Sequence, residues 1–288
     1  MLSKLRLYYK LTKPGIIYGN LIHIVAGGLL AYSVSINWQS FAAVMVGTSL
    51  VIASACVANN YIDRKIDAKM DRTTNRAFVT GAISGRAGFI YGAILFVIGF
   101  LILTIWTNWQ VVTIGLIAYV FYVVIYGWAK RSTVLSTLIG SIPGALPAMA
   151  GYVAVSGQVD LLAWAIFLLV FAWQMPHFYA ISLFRKKDYL IAGLPVLGVV
   201  APEAAVRNQI IAFIGFYLLV IVNMMVGSYL ALLPGSLMLA GGLWWLMSAS
   251  KRSKNQSVEK WARVIFGRSL VLPILLLVVS GLNIVALS

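Results

Sequence analysis

Long apolar runs, broken by polar turns, organise the chain from end to end. Nine stand out, at about residues 15–36, 40–62, 87–107, 109–129, 133–156, 160–184, 208–230, 232–250 and 265–287. None alternates with a period of two, so the pattern predicts helices and excludes the strands of a barrel. A helix rising ~1.5 Å per residue needs about 20 apolar residues to cross a hydrocarbon core ~30 Å thick, and these runs meet that length. Backbone groups in lipid must also be paired internally, which a helix does within one segment. The expectation is an all-α polytopic membrane bundle of nine transmembrane helices, forming a single intramembrane domain over residues 1–288.

Trp38, Trp106, Trp109, Trp128 and Trp164 lie near the ends of runs, where interfacial aromatics belong. The first run follows a basic stretch (Lys4, Arg6, Lys10, Lys13) but is too long for a signal-peptide core and lacks a small-residue cleavage site. It is therefore expected to be an uncleaved first span.

Composition agrees with this pattern, since 61% of the residues are hydrophobic and only 10% charged. A net charge of +15 raises the possibility of nucleic-acid binding, which the positions of the bases decide. Four precede the first run. Six (Arg64, Lys65, Lys69, Arg72, Arg76, Arg86) follow the second, and Lys130 and Arg131 follow the fourth. Arg185, Lys186, Lys187 and Arg207 follow the sixth. Lys251, Arg252, Lys254, Lys260, Arg263 and Arg268 follow the eighth or open the ninth, which accounts for all 22. One-sided sorting is the positive-inside rule, so no nucleic-acid partner is expected. The N-terminus is expected in the cytoplasm and, with nine spans, the C-terminus outside. The lone Cys56, inside an apolar run, gives neither a disulfide nor a metal cluster.

The polar loops after the second and sixth runs hold most of the acids. In Asn59-Asn60-Tyr61-Ile62-Asp63-Arg64-Lys65-Ile66-Asp67-Ala68-Lys69-Met70-Asp71-Arg72, helical spacing puts Asn59, Asp63 and Asp67 on one face. The stripe drifts by about 40° per step, which carries Asp71 around to a lesser role. Two carboxylates and an amide oxygen form an oxygen-only donor set suited to Mg²⁺, an ion that commonly links carboxylates to substrate phosphates. Arg72, Arg76, Lys130 and Arg131 on the same membrane face would meet the remaining phosphate charge. The plainer alternative is an amphipathic helix end whose acids pair with Arg64, Lys65 or Lys69.

Asn59-x-x-x-Asp63-x-x-x-Asp67 followed by Arg72-Thr73-x-x-Arg76 resembles the first aspartate-rich motif of the UbiA-type intramembrane prenyltransferases. The resemblance continues in Thr12-Lys13-Pro14-Gly15, Tyr126…Lys130-Arg131, Trp173-Gln174-Met175-Pro176-His177-Phe178 and Phe184-Arg185-Lys186-Lys187-Asp188-Tyr189…Leu194-Pro195-Val196-Leu197. It is strongest to the haem branch, the protohaem IX farnesyltransferases or haem O synthases. The solitary Asp188 departs from the quinone-type members, which carry a second acid pair there.

Outside that stripe, Trp173, Gln174 and His177 share one face beside the kinking Pro176. Their side chains either satisfy backbone groups freed by the proline or line a cavity. The resemblance favours haem contact through the iron, a propionate or a proton relay. His23 carries no matching motif and reads as core. Asp188 either completes a metal shell or anchors Arg185 and Lys186, and Glu203 suits a helix N-terminus. Pro143, Pro147 and the small residues between Gly140 and Gly151 predict close packing or a kink in the fifth run.

The resemblance implies transfer of a farnesyl group from farnesyl diphosphate to a vinyl group of haem b, giving haem o with Mg²⁺ as cofactor. Asp63, Asp67, Lys130 and Arg131 would assist diphosphate departure, with Asn59 joining the two aspartates at the metal. Asn59, Arg72, Arg76, Trp173, Gln174, His177, Arg185, Lys187 and Asp188 would contact substrates. The resemblance also implies a bacterial cytoplasmic-membrane location and a downstream haem-modifying enzyme or terminal oxidase assembly as partner. The rivals are a prenyltransferase for an aromatic quinone precursor and a non-catalytic haem-handling or transport protein.

Overall fold

The computed structural model describes residues 2–31, 36–252 and 256–287. Lys254 of the last basic cluster, and residues 32–35 at the end of the first expected span, lie outside the described residues. Those described are helical or in turns, with no strand among them.

In chain order the helices are α1 (Leu2–Leu11), α2 (Pro14–Leu29), α3 (Trp38–Ile62), α4 (Arg64–Asp67), α5 (Gly85–Trp106) and α6 (Trp109–Val120). A π-helical turn, Phe121–Ile125, joins α6 to α7 (Tyr126–Ser132) without a break. Then come α8 (Ser136–Ser156), α9 (Leu161–Phe184), α10 (Lys186–Ala192), α11 (Leu197–Val200), α12 (Glu203–Val226), α13 (Leu232–Ser250), α14 (Val258–Ser269) and α15 (Val271–Leu287).

Every expected run falls on a helix, and eight helices are long and apolar enough to cross a membrane. The first run is the exception in length. Helix α2 has 16 residues, about 24 Å at ~1.5 Å per residue, shorter than the run at 15–36 predicted. The last run begins earlier than expected, because α14 and α15 form one path with a step at Leu270. Outward-facing Phe89, Leu101, Leu219, Val226, Leu233 and Val285 are exposed, an apolar coat that only lipid can cover. The chain is an integral membrane protein.

Polar residues set the helix starts. Side chains of Asn37, Ser84, Asn108, Asp160 and Ser257 accept hydrogen bonds from the first-turn amides of α3, α5, α6, α9 and α14. Successive contacts then close a ring in the order α3, α5, α6, α8, α9, α12, α13, α15, α2 and back to α3. Helices α2 and α8 also pack across this ring and divide it. Their approach depends on absent side chains. A Cβ on Gly27 would strike the Ala148 carbonyl, and one on Gly151 the Ile24 carbonyl. Pro143 and Pro147 are accommodated within α8, and Pro176 within α9, without ending either helix.

Candidate active site at the acidic end of the second run

Helical spacing persists beyond the last residue of α3. The Asp63 amide donates to the Asn59 carbonyl at 2.9 Å, and the Asp67 amide to the Asp63 carbonyl at 2.8 Å. Asn59, Asp63 and Asp67 therefore stack on one face, as their spacing predicts. All three are buried, with 2%, 7% and 3% of their surface exposed, so both carboxylates need partners.

Those partners come from distant elements. Lys130 bonds Asp63 Oδ2, while Arg131 donates to Asp63 Oδ1 at 2.8 Å and to the Ile62 carbonyl at 3.0 Å. Arg76 donates to Asp67 Oδ2 at 2.6 Å. Arg64 instead lies 4.0 Å over the Tyr61 ring, so the local pairing open to the sequence does not form among the described residues. The π-helical turn in front of α7 adds a residue to one turn and rotates α7 by about 100°. Lys130 and Arg131 are thereby aimed at α3, with the Tyr126 ring 5.5 Å from the Lys130 ammonium. The Thr73 hydroxyl donates to the Asp67 carbonyl at 2.7 Å and folds the loop so that Arg76 returns to the stripe.

Lys13 is the residue sequence reasoning did not place here. Its ammonium donates to Asn59 Oδ1 at 3.2 Å. Burial pushes that ammonium below the usual lysine range, and nearby Arg76 adds to the effect against the pull of Asp63 and Asp67. Its backbone is left-handed at φ 51, a strained choice for a lysine between α1 and α2. The available signal was the Lys-Pro junction, because a residue before proline is pushed away from helical geometry.

The two long polar loops meet over this cluster. Met70 packs with Ala192 and Leu194, flanked by Ile66, Tyr189 and Val196. Arg72 pairs with Asp188 at 3.3 Å, and Arg185 reaches the same carboxylate at 3.7 Å. Burial raises the Tyr189 phenol above its usual range. Asp71 and Lys187 are exposed and make no ion pair among the described residues. Glu203, at the start of α12, pairs with Arg252.

Deeper in the bundle, His177 lies among Phe266 (4.8 Å between ring centres), Trp173 (5.1 Å) and Phe178 (5.1 Å), with Nδ1 2.7 Å from Ser269 Oγ. His23 is buried, as expected of a core residue, with Nδ1 2.9 Å from the Gly19 carbonyl and its ring 5.0 Å from Trp173. Gln174 is buried and bonds the Ser141 and Val170 carbonyls, tying α9 to α8 in a notch left by Gly144. A largely apolar cavity of about 710 Å³ opens between α3, α5 and α6. Ser54, Tyr61, Phe89, Phe96 and Tyr119 are among the residues lining it, with Arg86 near the polar end.

The donor set fits a hard divalent cation. It consists of oxygen atoms on consecutive helical turns, and Arg76 bonds only one oxygen of Asp67. The buried Asn59 Nδ2 has no partner among the described residues, and as an N–H donor it calls for an acceptor such as a water or phosphate oxygen beside the cation. Among those residues no cluster of three acidic, His or Cys side chains exists, so water or substrate oxygens must complete any coordination shell.

The chain resembles known proteins in both sequence and fold. Protoheme IX farnesyltransferase 2 of Chromobacterium violaceum is 44% identical over 271 residues, which are 93% of this chain and 89% of that one. A structure of digeranylgeranylglyceryl phosphate synthase in membranes superposes with a TM-score of 0.81 at 14% identity, covering 98% of this chain and 99% of the other. A UbiA homologue from Archaeoglobus fulgidus bound to GPP and Mg²⁺ does so with a TM-score of 0.70 at 15% identity, covering 97% and 99%. The family model for UbiA prenyltransferases matches residues 20–271, and the chain belongs to that family.

Proposed function

We propose that this protein transfers the farnesyl group of farnesyl diphosphate to a vinyl group of haem b, giving haem o. The carrying observation is the buried Asn59–Asp63–Asp67 stripe ringed by Lys13, Arg76, Lys130 and Arg131, joined to 44% identity with a protoheme IX farnesyltransferase. A diphosphate leaving group needs positive charge where its own negative charge develops, and preorganised donors supply it without reorganisation. Asn59, Asp63 and Asp67 would hold Mg²⁺, which would act as a Lewis acid on the departing oxygens. Arg131, Arg76 and Arg72 then turn from Asp63, Asp67 and Asp188 towards phosphate, Lys130 stays beside Asp63 and faces the leaving group from there, and Asp188 keeps Arg185 at the rim beside Lys187. The isoprenoid chain would lie among the apolar spans beneath the stripe, where bulk water is kept from the allylic carbon.

Trp173 and His177 contact the porphyrin, while Gln174 holds α9 in place for them. The vinyl carbon forms the new C–C bond as the C–O bond to diphosphate breaks. Water adds at the neighbouring carbon and releases a proton, leaving the hydroxyl. In this reading α2 completes nine spans in one domain. The charged loops face the cytoplasm of a bacterial inner membrane, and the C-terminus lies outside.

The test supplies protein in lipid nanodiscs with Mg²⁺, farnesyl diphosphate and either haem b or an aromatic quinone precursor. Farnesylated haem and stoichiometric diphosphate are expected with haem alone, and are lost in Asp67→Ala. Product from the aromatic acceptor only, or no diphosphate release with either, overturns the assignment.

A further inference from the structure

Ser269 lies at the step between α14 and α15 and is fully buried. In an unbroken helix its carbonyl would accept from the amide four residues on, but that residue is Pro273, which has no amide hydrogen. The freed carbonyl accepts instead from the Trp173 indole, at 2.8 Å. A proline on the last helix thus clamps an aromatic side chain of α9.

The hydroxyl of the same residue does a second thing. Ser269 Oγ donates its only proton to the Phe266 carbonyl at 2.5 Å. Towards His177 Nδ1, 2.7 Å away, it therefore has only lone pairs to offer. His177 must be the donor in that contact, so Nδ1 carries the hydrogen. In the neutral ring Nε2 then bears a bare lone pair. Contacts with Trp173, Phe178 and Phe266 fix the plane of the ring, and with it the direction of that lone pair.

This tautomer separates the three haem contacts left open by the sequence. A propionate is an acceptor and would meet a second acceptor at Nε2, so that contact is unfavourable. A relay through the ring would have to pass its proton from Nδ1 to Ser269, whose hydroxyl is already committed to Phe266 and leads to no titratable group. A lone pair on one ring nitrogen, with the other N–H held by an oxygen acceptor, is instead how metal-ligating imidazoles are oriented.

We infer that His177 Nε2 is an axial ligand to the iron of the haem substrate, and that Ser269 is the positioning residue that fixes its tautomer. The inference rests on haem being the acceptor. It gives the porphyrin a fixed height and tilt beside Trp173, so that a vinyl edge is presented to the prenyl chain.

The experiment titrates ferric haem b into the full-length protein in nanodiscs without prenyl diphosphate, reading the absorption and EPR spectra and the affinity. Wild type and His23→Ala should show an imidazole-ligated iron. His177→Ala should lose that signature and regain it with added imidazole. His177→Met, close in volume, should replace it with a thioether signature, a change that misfolding does not produce. Ser269→Ala should weaken haem binding by about 10- to 100-fold, the usual cost of removing a ligand's orienting partner. Haem that is bound and farnesylated, with a spectrum unaffected by either His177 variant, overturns the inference and leaves the proposed reaction standing. Loss of the signature in His23→Ala instead, or unchanged affinity in Ser269→Ala, also overturns it. Wild type that binds no haem removes the acceptor assignment itself.

Discussion

Replacing Asp63 by asparagine keeps the shape of the side chain but removes the charge that two bases share. The two are not equally placed to respond. Arg131 is 36% exposed and turns to water, whereas the Lys130 side chain is 10% exposed and has nowhere to go. Removing one partner of a buried pair costs about 3–5 kcal/mol, and this pair, not fully enclosed, belongs at the lower end, ~3 kcal/mol. Lys130→Met is milder. It leaves Asp63 bonded to Arg131 at 2.8 Å and gives up one charge-assisted hydrogen bond, about 1.5 kcal/mol. The double variant has no stranded ammonium, and its methionine packs against the Tyr126 ring. Its expected cost is about 1 kcal/mol, so the two sites are coupled by roughly 3.5 kcal/mol.

Reversible unfolding in mixed micelles measures the stabilities, and extraction with chromatography measures farnesylated haem. Asp63→Asn and the double variant should both be inactive, although only the first is strongly destabilised. Additive stabilities would refute the buried pair, and full turnover by the stable double variant would refute the chemical role of Asp63.

Helix packing and the half-buried Lys13 each give a further expected outcome. Gly151→Ala should cost about 1–3 kcal/mol, because the added carbon meets backbone of α2 that cannot rotate aside. The same change at Gly215, where nothing lies within 4 Å, should be neutral or stabilising, and thermal unfolding in detergent compares the two. Lys13→Met should be more stable than wild type near pH 7, by removing a half-buried, poorly hydrated charge. The lysine's folded-state value is lowered, so the unfolded chain binds its proton more tightly and wild type gains stability as pH rises through the interval between the folded and unfolded values. The variant's advantage should therefore shrink as pH climbs towards ~10.4, and an advantage that grows with pH contradicts the buried ammonium.

The sequence revealed most where one physical rule acts along the chain. Hydrophobic length located the eight helices long enough to span and the shorter α2, and a spacing of four residues brought Asn59, Asp63 and Asp67 together. Periodicity says nothing of which distant base meets which acid. The pairing of Asp63 with Lys130 and Arg131 depends on a π-helical turn, and that of Asp67 with Arg76 on a loop folded by Thr73. Lys13 stayed hidden because a base before a first span is fully accounted for as a topology signal. Ser269 stayed hidden because its role arises from a proline four residues away and a histidine on another helix. The contraction of the first run to Pro14–Leu29 likewise reflects local chain geometry that hydropathy does not encode.

The placement of the bases also explains why so many cations can stand together before substrate arrives. Lys13, Arg72, Arg76, Lys130, Arg131 and Arg185 crowd a mouth that contains Asp63, Asp67 and Asp188, six bases against three acids. Without those acids the bases would repel one another and swing outward, and ordering them would fall to the moment of binding. Each carboxylate holds one or two bases near the position an anionic leaving group will occupy, while the three uncompensated positive charges still attract that anion. The acids therefore act twice in the proposed reaction, as donors to the metal and as placeholders for diphosphate. This second role accounts for a buried Lys130 beside Asp63, which a metal site alone would not require.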